Sequence, residues 1–173
     1  MGYPSLYIDL TQDLDAIWGN IKRKRRGDIK RANRLGIQVI LDDSGSFLDA
    51  WTDLLNENHR ALNIPIRRRL FGEAGYIFLA FDEECDLLAG ERFLKRGKTL
   101  ITHVAVSKRY IKDKKTISGL AHALLIWEAI KWAKENGFKE FDFGGYNPNK
   151  PQFQQINEWK ASFGGVPIYR GSL

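Results

Sequence analysis

The sequence predicts an α+β fold, and three observations predict it. Residues 76–81, 87–96 and 100–107 are strand-like runs joined by Asp82-Glu83-Glu84-Cys85-Asp86 and Arg96-Gly97-Lys98, short polar connections suited to an antiparallel meander. A segment after that meander, residues 120–136, carries Leu124, Trp127 and Ile130 on one side with Ala121, Leu125 and Trp132 close by. A helix apolar nearly all round belongs inside a core. Helical and strand-like segments then alternate to the C-terminal end, an α+β order that is compatible with several folds among which periodicity alone does not choose. At 173 residues the chain is long enough for one domain with a proper core and too short for two of ordinary size.

Each element has a local reason. Leu14, Ile17, Trp18 and Ile21 recur at helical spacing behind Thr11 or Asp13 as a cap, and Gly36 makes a stop. The spacing predicts a helix over residues 13–35, with Gly27 as the place for a break. Ile37-Gln38-Val39-Ile40-Leu41 is a short β-rich run, and the polar Asp42-Asp43-Ser44-Gly45-Ser46 leads into the stripe of Phe47, Trp51, Leu54 and Leu55. That stripe predicts a second helix to about residue 62, ahead of Pro65, and a short basic helix is expected over residues 67–72. Beyond the meander and the buried helix, residues 140–143 read as a strand, 152–163 as an amphipathic helix and 166–169 as a last strand.

The net charge of +6 has a local origin. Residues 22–34 hold eight basic side chains against the single acid Asp28, whereas the rest of the chain is close to neutral with 19 basic and 20 acidic residues. A binding surface for phosphate explains one concentrated block better than a general need for solubility does, although a solvated helix face has the same composition. No apolar run approaches the length that spans a bilayer, and Met1-Gly2-Tyr3-Pro4-Ser5-Leu6 lacks the basic start and apolar stretch of a leader, so a cytoplasmic location is expected. Cys85 is the only cysteine, and His59, His103 and His122 lack metal-ligand spacing, so no metal site is expected.

Chemistry concentrates near the C-terminal end. Phe141-Asp142-Phe143-Gly144-Gly145-Tyr146 is followed by Trp159-Lys160-Ala161-Ser162-Phe163-Gly164-Gly165. A short acid, a long base and glycine-exposed amides on apolar segments suit work on a carbonyl. The same pattern also describes two ordinary element ends, with Asp142 capping a turn and Lys160 facing solvent.

The series Leu125-x-Trp127-Glu128-Ala129-Ile130-x-Trp132-Ala133, Gly137-Phe138, Phe141-Asp142-Phe143-Gly144-Gly145 and Lys160-x-x-Phe163-Gly164 resembles the C-terminal half of the Fem-type peptidoglycan bridge aminoacyltransferases. Arg25-Arg26-x-x-Ile29-Lys30-Arg31-Ala32 and Gly36-Ile37 resemble the opening of that family's second domain. The resemblance covers most of the chain. It implies a GNAT fold, a mixed twisted sheet flanked by helices, in a single-domain version: an N-terminal arm with a basic helix over residues 1–36 and an acyltransferase domain over 37–173. A second GNAT-like domain would then come from a partner chain or from a homo-oligomer.

The resemblance also implies an enzyme that moves an aminoacyl group from aminoacyl-tRNA to an amine acceptor such as a peptidoglycan precursor, with no cofactor required. Lys160 would stabilise the oxyanion, Asp142 would accept the amine's proton or orient the amine, and Tyr146 would hydrogen-bond substrate. Arg25, Arg26, Lys30 and Arg31 would meet the phosphates of tRNA or of another phosphate-bearing substrate. GNAT enzymes that use acyl-CoA carry a Gln/Arg-x-x-Gly-x-Gly/Ala loop; Thr116-Ile117-Ser118-Gly119-Leu120-Ala121 matches its second half, which makes Ser118 and Gly119 the candidate donor loop. His103 is a further candidate base. The alternatives are a CoA-dependent N-acyltransferase and a non-catalytic GNAT-like module that binds RNA or protein through the basic arm.

Overall fold

The computed structural model describes residues 4–65 and 75–169. In chain order its elements are β1 (Ser5–Asp9), α1 (Leu14–Asn20), α2 (Arg23–Arg34), β2 (Gln38–Leu41), α3 (Leu48–Ala61), β3 (Gly75–Phe81), β4 (Leu87–Arg96), β5 (Thr99–Ser107), α4 (Lys115–Glu135), β6 (Glu140–Gly145), α5 (Gln154–Ala161) and β7 (Val166–Ile168). The strands form a mixed sheet in the order β2-β3-β4-β5-β6-β1-β7. Its one parallel pairing among the described registers joins β5 to β6, while β2 with β3, β3 with β4, and β1 with both β6 and β7 run antiparallel. The short basic helix expected over residues 67–72 lies outside the described residues.

The chain divides into two compact units. The first holds residues 1–27, 95–102 and 130–173, and β1 organises it. Tyr7 and Ile8 of β1 pair with Asp142 and Phe141 of β6, and Leu6 and Tyr7 pair with Pro167 and Val166 of β7. Leu6, Tyr7 and Ile8 are all buried, so this strand has an apolar residue on both faces and no alternation. Sequence periodicity therefore passes over it. The stretch read as an N-terminal arm thus contains a strand of the sheet.

The predicted helix over residues 13–35 breaks at Ile21 and Lys22, not at Gly27. Ile21 is extended (ψ 131°) and buried, and the Lys22 amide donates to the Ser162 carbonyl at 2.9 Å. Tertiary burial and a long-range hydrogen bond set the break, whereas Gly27 has open space beside it and stays helical at a cost of about 1 kcal/mol.

The second unit holds residues 28–94 and 103–129. Trp51, Leu54 and Leu55 of α3 pack with Ile77, Leu79, Leu87 and Val106 of the strands. Each such side chain stabilises the fold by roughly 1.5–3 kcal/mol when fully buried. Helix α4, shared by the two units, is as buried as its composition requires: Ala121, Ala123, Leu124, Leu125, Ile126, Ala129, Ile130 and Ala133 are all inaccessible or nearly so.

Candidate functional site

Strand β6 ends in a glycine turn that its own sequence builds. Asp142 is buried, and its Oδ1 accepts the Gly144 amide at 2.7 Å, a local turn that asparagine and aspartate favour. Gly144 has φ 72°, a left-handed conformation that side chains rarely adopt, so the chain can swing out of the strand there. The turn leaves the Gly145 carbonyl where the Lys160 Nζ donates to it at 3.0 Å. Asp142, Gly144, Gly145 and Lys160 therefore meet at one turn through two hydrogen bonds. Tyr146 follows directly, half-buried, with its amide donating to the Pro4 carbonyl at 2.7 Å.

Lys160 is placed by α5, and α5 is held at both ends. Near its start, Asn157 Nδ2 donates to the Asn147 carbonyl at 2.7 Å and Asn157 Oδ1 accepts the Asn147 amide at 3.4 Å. Both asparagines are buried, and Lys160 lies three residues beyond Asn157, on the next turn. At its end, Trp159 and Phe163 pack edge to face at 5.0 Å, with Phe143 stacked on Phe163 at 5.5 Å. Gly164, at φ 86°, closes the helix where an added Cβ would lie 2.8 Å from the Asn20 carbonyl oxygen. The sequence reading missed Asn147 and Asn157. An asparagine in the body of a short helix is a weak helix former, and that was the available signal.

The basic helix divides its charges between two settings. The Arg25 guanidinium sits 5.6 Å from the Trp159 ring centre and 5.2 Å from that of Phe163, and its Nε donates to Ser162 Oγ at 2.9 Å. Arg26 Nη1 donates to the Gly19 carbonyl at 3.2 Å. Both of these candidate phosphate ligands are engaged with the protein's own chain. Lys30 and Arg31 are exposed, as are Lys22, Arg23, Lys24 and Arg34. The first turn of α2 holds no acidic residue to complement the positive helix end, so the local field favours an anion.

The candidate donor loop is not a loop. Thr116, Ile117, Ser118 and Gly119 form the first turn of α4. Ser118 is fully buried, with its Oγ donating to the Lys115 carbonyl at 3.1 Å and its amide to the Lys114 carbonyl at 2.9 Å; Gly119 is exposed. Lys114, upstream, pairs with Asp86 at 3.3 Å.

Two buried charges on β4 also escaped the sequence reading. Glu91 Oε2 lies 2.7 Å from His122 Nε2, and Arg92 Nη1 lies 3.1 Å from His103 Nδ1. A guanidinium only donates, so His103 Nδ1 accepts and the neutral ring carries its proton on Nε2. The basic nitrogen of this candidate base is thus occupied by Arg92. The signal was Glu91-Arg92 standing between the apolar Leu87-Leu88-Ala89 and Phe93-Leu94 of the strand. Among the described residues, no group of three His, Cys, Asp or Glu side chains could hold a metal ion, and no helix is long and apolar enough to cross a membrane.

No protein-family model matches this sequence, and no curated protein matches it. Solved structures do match it in fold. The crystal structure of FemX superposes with a TM-score of 0.77 over 95% of this chain and 59% of its own, at 13% identity. The chain has the fold of FemX. The C-terminal domain (DUF2156) of a putative lysylphosphatidylglycerol synthetase from Agrobacterium fabrum gives 0.66 over 95% of this chain and 57% of that one, at 13% identity. L-PGS from Bacillus licheniformis gives 0.62 over the same shares at 14% identity. The chain therefore spans less than three fifths of the length of each of them, and at these identities the likeness is one of fold.

Proposed function

We propose that the chain is an acyltransferase that moves an aminoacyl group from aminoacyl-tRNA to an amine acceptor, such as a peptidoglycan precursor. The observation that carries this reading is the Lys160 ammonium held 3.0 Å from the Gly145 carbonyl, at a turn that β6 and α5 build together. Attack of a neutral amine on the ester carbonyl forms the C–N bond and places negative charge on the carbonyl oxygen. The C–O bond to the ribose then breaks, and the proton lost by the amine goes to the leaving ribose oxygen directly or through solvent. A fixed ammonium stabilises the oxyanion, and removing one such group typically costs about 2.7–4 kcal/mol in the rate.

In this proposal Asp142 acts through the glycine turn that fixes the Gly145 carbonyl. Its carboxylate is buried and accepts the Gly144 amide, which suits positioning better than proton removal. Tyr146 borders the same turn and contacts substrate. Lys30 and Arg31 meet tRNA phosphates, while Arg25 and Arg26 hold the helix that presents them. An aminoacyl-tRNA donor is favoured over acyl-CoA in this reading by the engagement of the Ser118 hydroxyl with the Lys115 carbonyl and of its amide with the Lys114 carbonyl. No cofactor takes part, and a second GNAT-like domain, from a partner chain or a second copy, completes the acceptor side.

The test is transfer of a labelled aminoacyl group from charged tRNA to muropeptide or simple amine acceptors. Wild-type protein transfers label, and Lys160→Ala retains tRNA binding but loses transfer. Unchanged transfer by Lys160→Ala removes that residue from the mechanism. A non-catalytic RNA-binding module is the second reading, favoured by the six exposed cations of residues 22–34, which need no chemistry; tRNA binding without transfer by any acceptor establishes it. Stabilisation by saturating acetyl-CoA in a thermal shift assay redirects the donor assignment to CoA.

A further inference from the structure

The turn between β6 and α5 carries a hydrogen-bond donor besides Lys160 that the transfer reading leaves unused. Residues 145–147 are fastened to α5 through two of their carbonyls: Lys160 Nζ donates to Gly145 at 3.0 Å, and Asn157 Nδ2 donates to Asn147 at 2.7 Å. Asn157 Oδ1 also accepts the Asn147 amide at 3.4 Å, and the Tyr146 amide is taken by the Pro4 carbonyl. Asn147 thus contributes only its backbone to holding α5. Its side chain is left for something else.

That side chain makes one bond, in which Oδ1 accepts the Asn149 amide at 3.3 Å. A backbone amide needs an acceptor, so the oxygen faces Asn149 and Nδ2 is turned away from it. Asn147 is only 7% exposed, yet its Nδ2 finds no partner among the described residues and is not sealed from solvent. A donor fixed in a nearly buried residue has little water to lose when an acceptor arrives, which is the preorganisation that favours charge development. With Oδ1 engaged, Asn147 presents donors only, as Lys160 does, and a pair of donors suits an oxygen rather than an amine.

We infer that Asn147 is a second catalytic donor, whose Nδ2 hydrogen-bonds the same acyl carbonyl oxygen as Lys160, so that the two together hold the oxyanion of the tetrahedral intermediate. The inference rests on the transfer reading and deepens it: the substrate is an acyl ester whose carbonyl oxygen accepts from a neutral amide as well as from an ammonium. Asn147 gives up no proton. The C–N bond formed, the C–O bond broken and the return of the amine's proton to the ribose oxygen are unchanged by its part in the step.

Asn147→Asp tests it, because the change keeps the shape, an oxygen for the Asn149 amide and both backbone bonds to Asn157, and removes the donors. Transfer from charged tRNA falls about 100-fold or more in kcat, with KM for the tRNA changed by less than about threefold, since the bond strengthens only as charge develops. Asn147→Ala does the same, which separates loss of the donor from repulsion by a new carboxylate. Adding Lys160→Ala costs less than the product of the two single losses, because both groups act on one oxygen. Without turnover, an aminophosphonate ester of adenosine that mimics the tetrahedral intermediate binds Asn147→Ala about 100-fold more weakly than wild type in calorimetry, while the planar carboxamide analogue loses less than about tenfold; thermal melts show that the variants are folded. Full kcat in both variants overturns the assignment and leaves the transfer reading standing. Equal loss of the two analogues, or strictly multiplicative losses in the double variant, makes Asn147 a residue that merely shapes the turn and overturns it as well. If wild type transfers no label the transfer reading fails, and selective loss of the phosphonate then supports the two-donor site while its absence overturns it.

Discussion

Arg25 and Arg26 of α2 are turned onto the protein's own chain, whereas Lys30 and Arg31, about one turn further along the same helix, are exposed. All four contribute equally to the basic block in the sequence. Their physical consequences differ, because a cation stacked on two rings and bonded to a hydroxyl contributes to folding, while an exposed cation acts only through the field it projects into solvent. The same contrast separates Lys160, bonded to Gly145, from the exposed lysines of α2. Charge density in a sequence marks a surface; packing decides which of its members remain there.

The largest effect is expected at the held cation nearest the proposed chemistry. Lys160→Ala lowers aminoacyl transfer by about 100- to 1,000-fold, with urea unfolding shifted by less than about 1 kcal/mol because the residue is half-buried. Steady-state transfer and unfolding measured on one preparation separate the two quantities.

Next comes the buried amide pair. Asn157→Leu leaves the Asn147 carbonyl and amide without their partner, which costs about 2–3 kcal/mol of stability. A calorimetric scan then shows a melting point lower by about 5–10 °C, at roughly 2–4 °C per kcal/mol for a domain of this size. A smaller loss, about 1–2 kcal/mol, follows from Arg25→Ala, which removes the interactions with Trp159, Phe163 and Ser162. Its salt dependence of tRNA binding stays at the wild-type slope, and a changed slope with unchanged stability would reverse the assignment of Arg25 to the fold.

The exposed pair gives the converse result. Lys30→Ala with Arg31→Ala moves stability by no more than about 0.5 kcal/mol, while the slope of log affinity against log salt falls by about one unit for each phosphate that is no longer neutralised. The smallest effect concerns Asp86, half-exposed and ion-paired to Lys108 and Lys114. Its carboxyl is held below the ordinary 3.8, so its contribution to stability is complete above that pH and is lost as the pH falls below it. Wild type should exceed Asp86→Asn by a constant margin from pH 5 to 7, and that margin should shrink between pH 4 and 3. A margin independent of pH would remove ion pairing as its cause.

The meander, the buried helix α4 and the glycine-flanked block were legible because each writes its environment into composition or spacing. The strand-like runs over residues 76–107 alternate with short polar turns, α4 is apolar nearly all round, and Asp142, Gly144 and Lys160 fall near the ends of apolar segments. What was not legible depended on partners distant in sequence. Strand β1 exists because β6 and β7 flank it, and the helix break at Ile21 exists because Ser162, far along the chain, accepts the Lys22 amide. The Glu91 to His122 pair needs a strand and a helix to meet, and neither residue announces the other.

By itself the sequence determined most of the element types, the α+β class, the concentration of positive charge in residues 22–34 and the turn chemistry around Gly144. Those depend on propensity, periodicity and local hydrogen bonding, which act over a few residues. Only the tertiary structure decided that Arg25 is a packing residue, that Ser118 is sealed inside α4, that Arg92 occupies His103, and that Lys160 meets the Gly145 carbonyl. Each of these joins a side chain to a distant part of the chain, and only the packed fold brings the two partners within bonding distance.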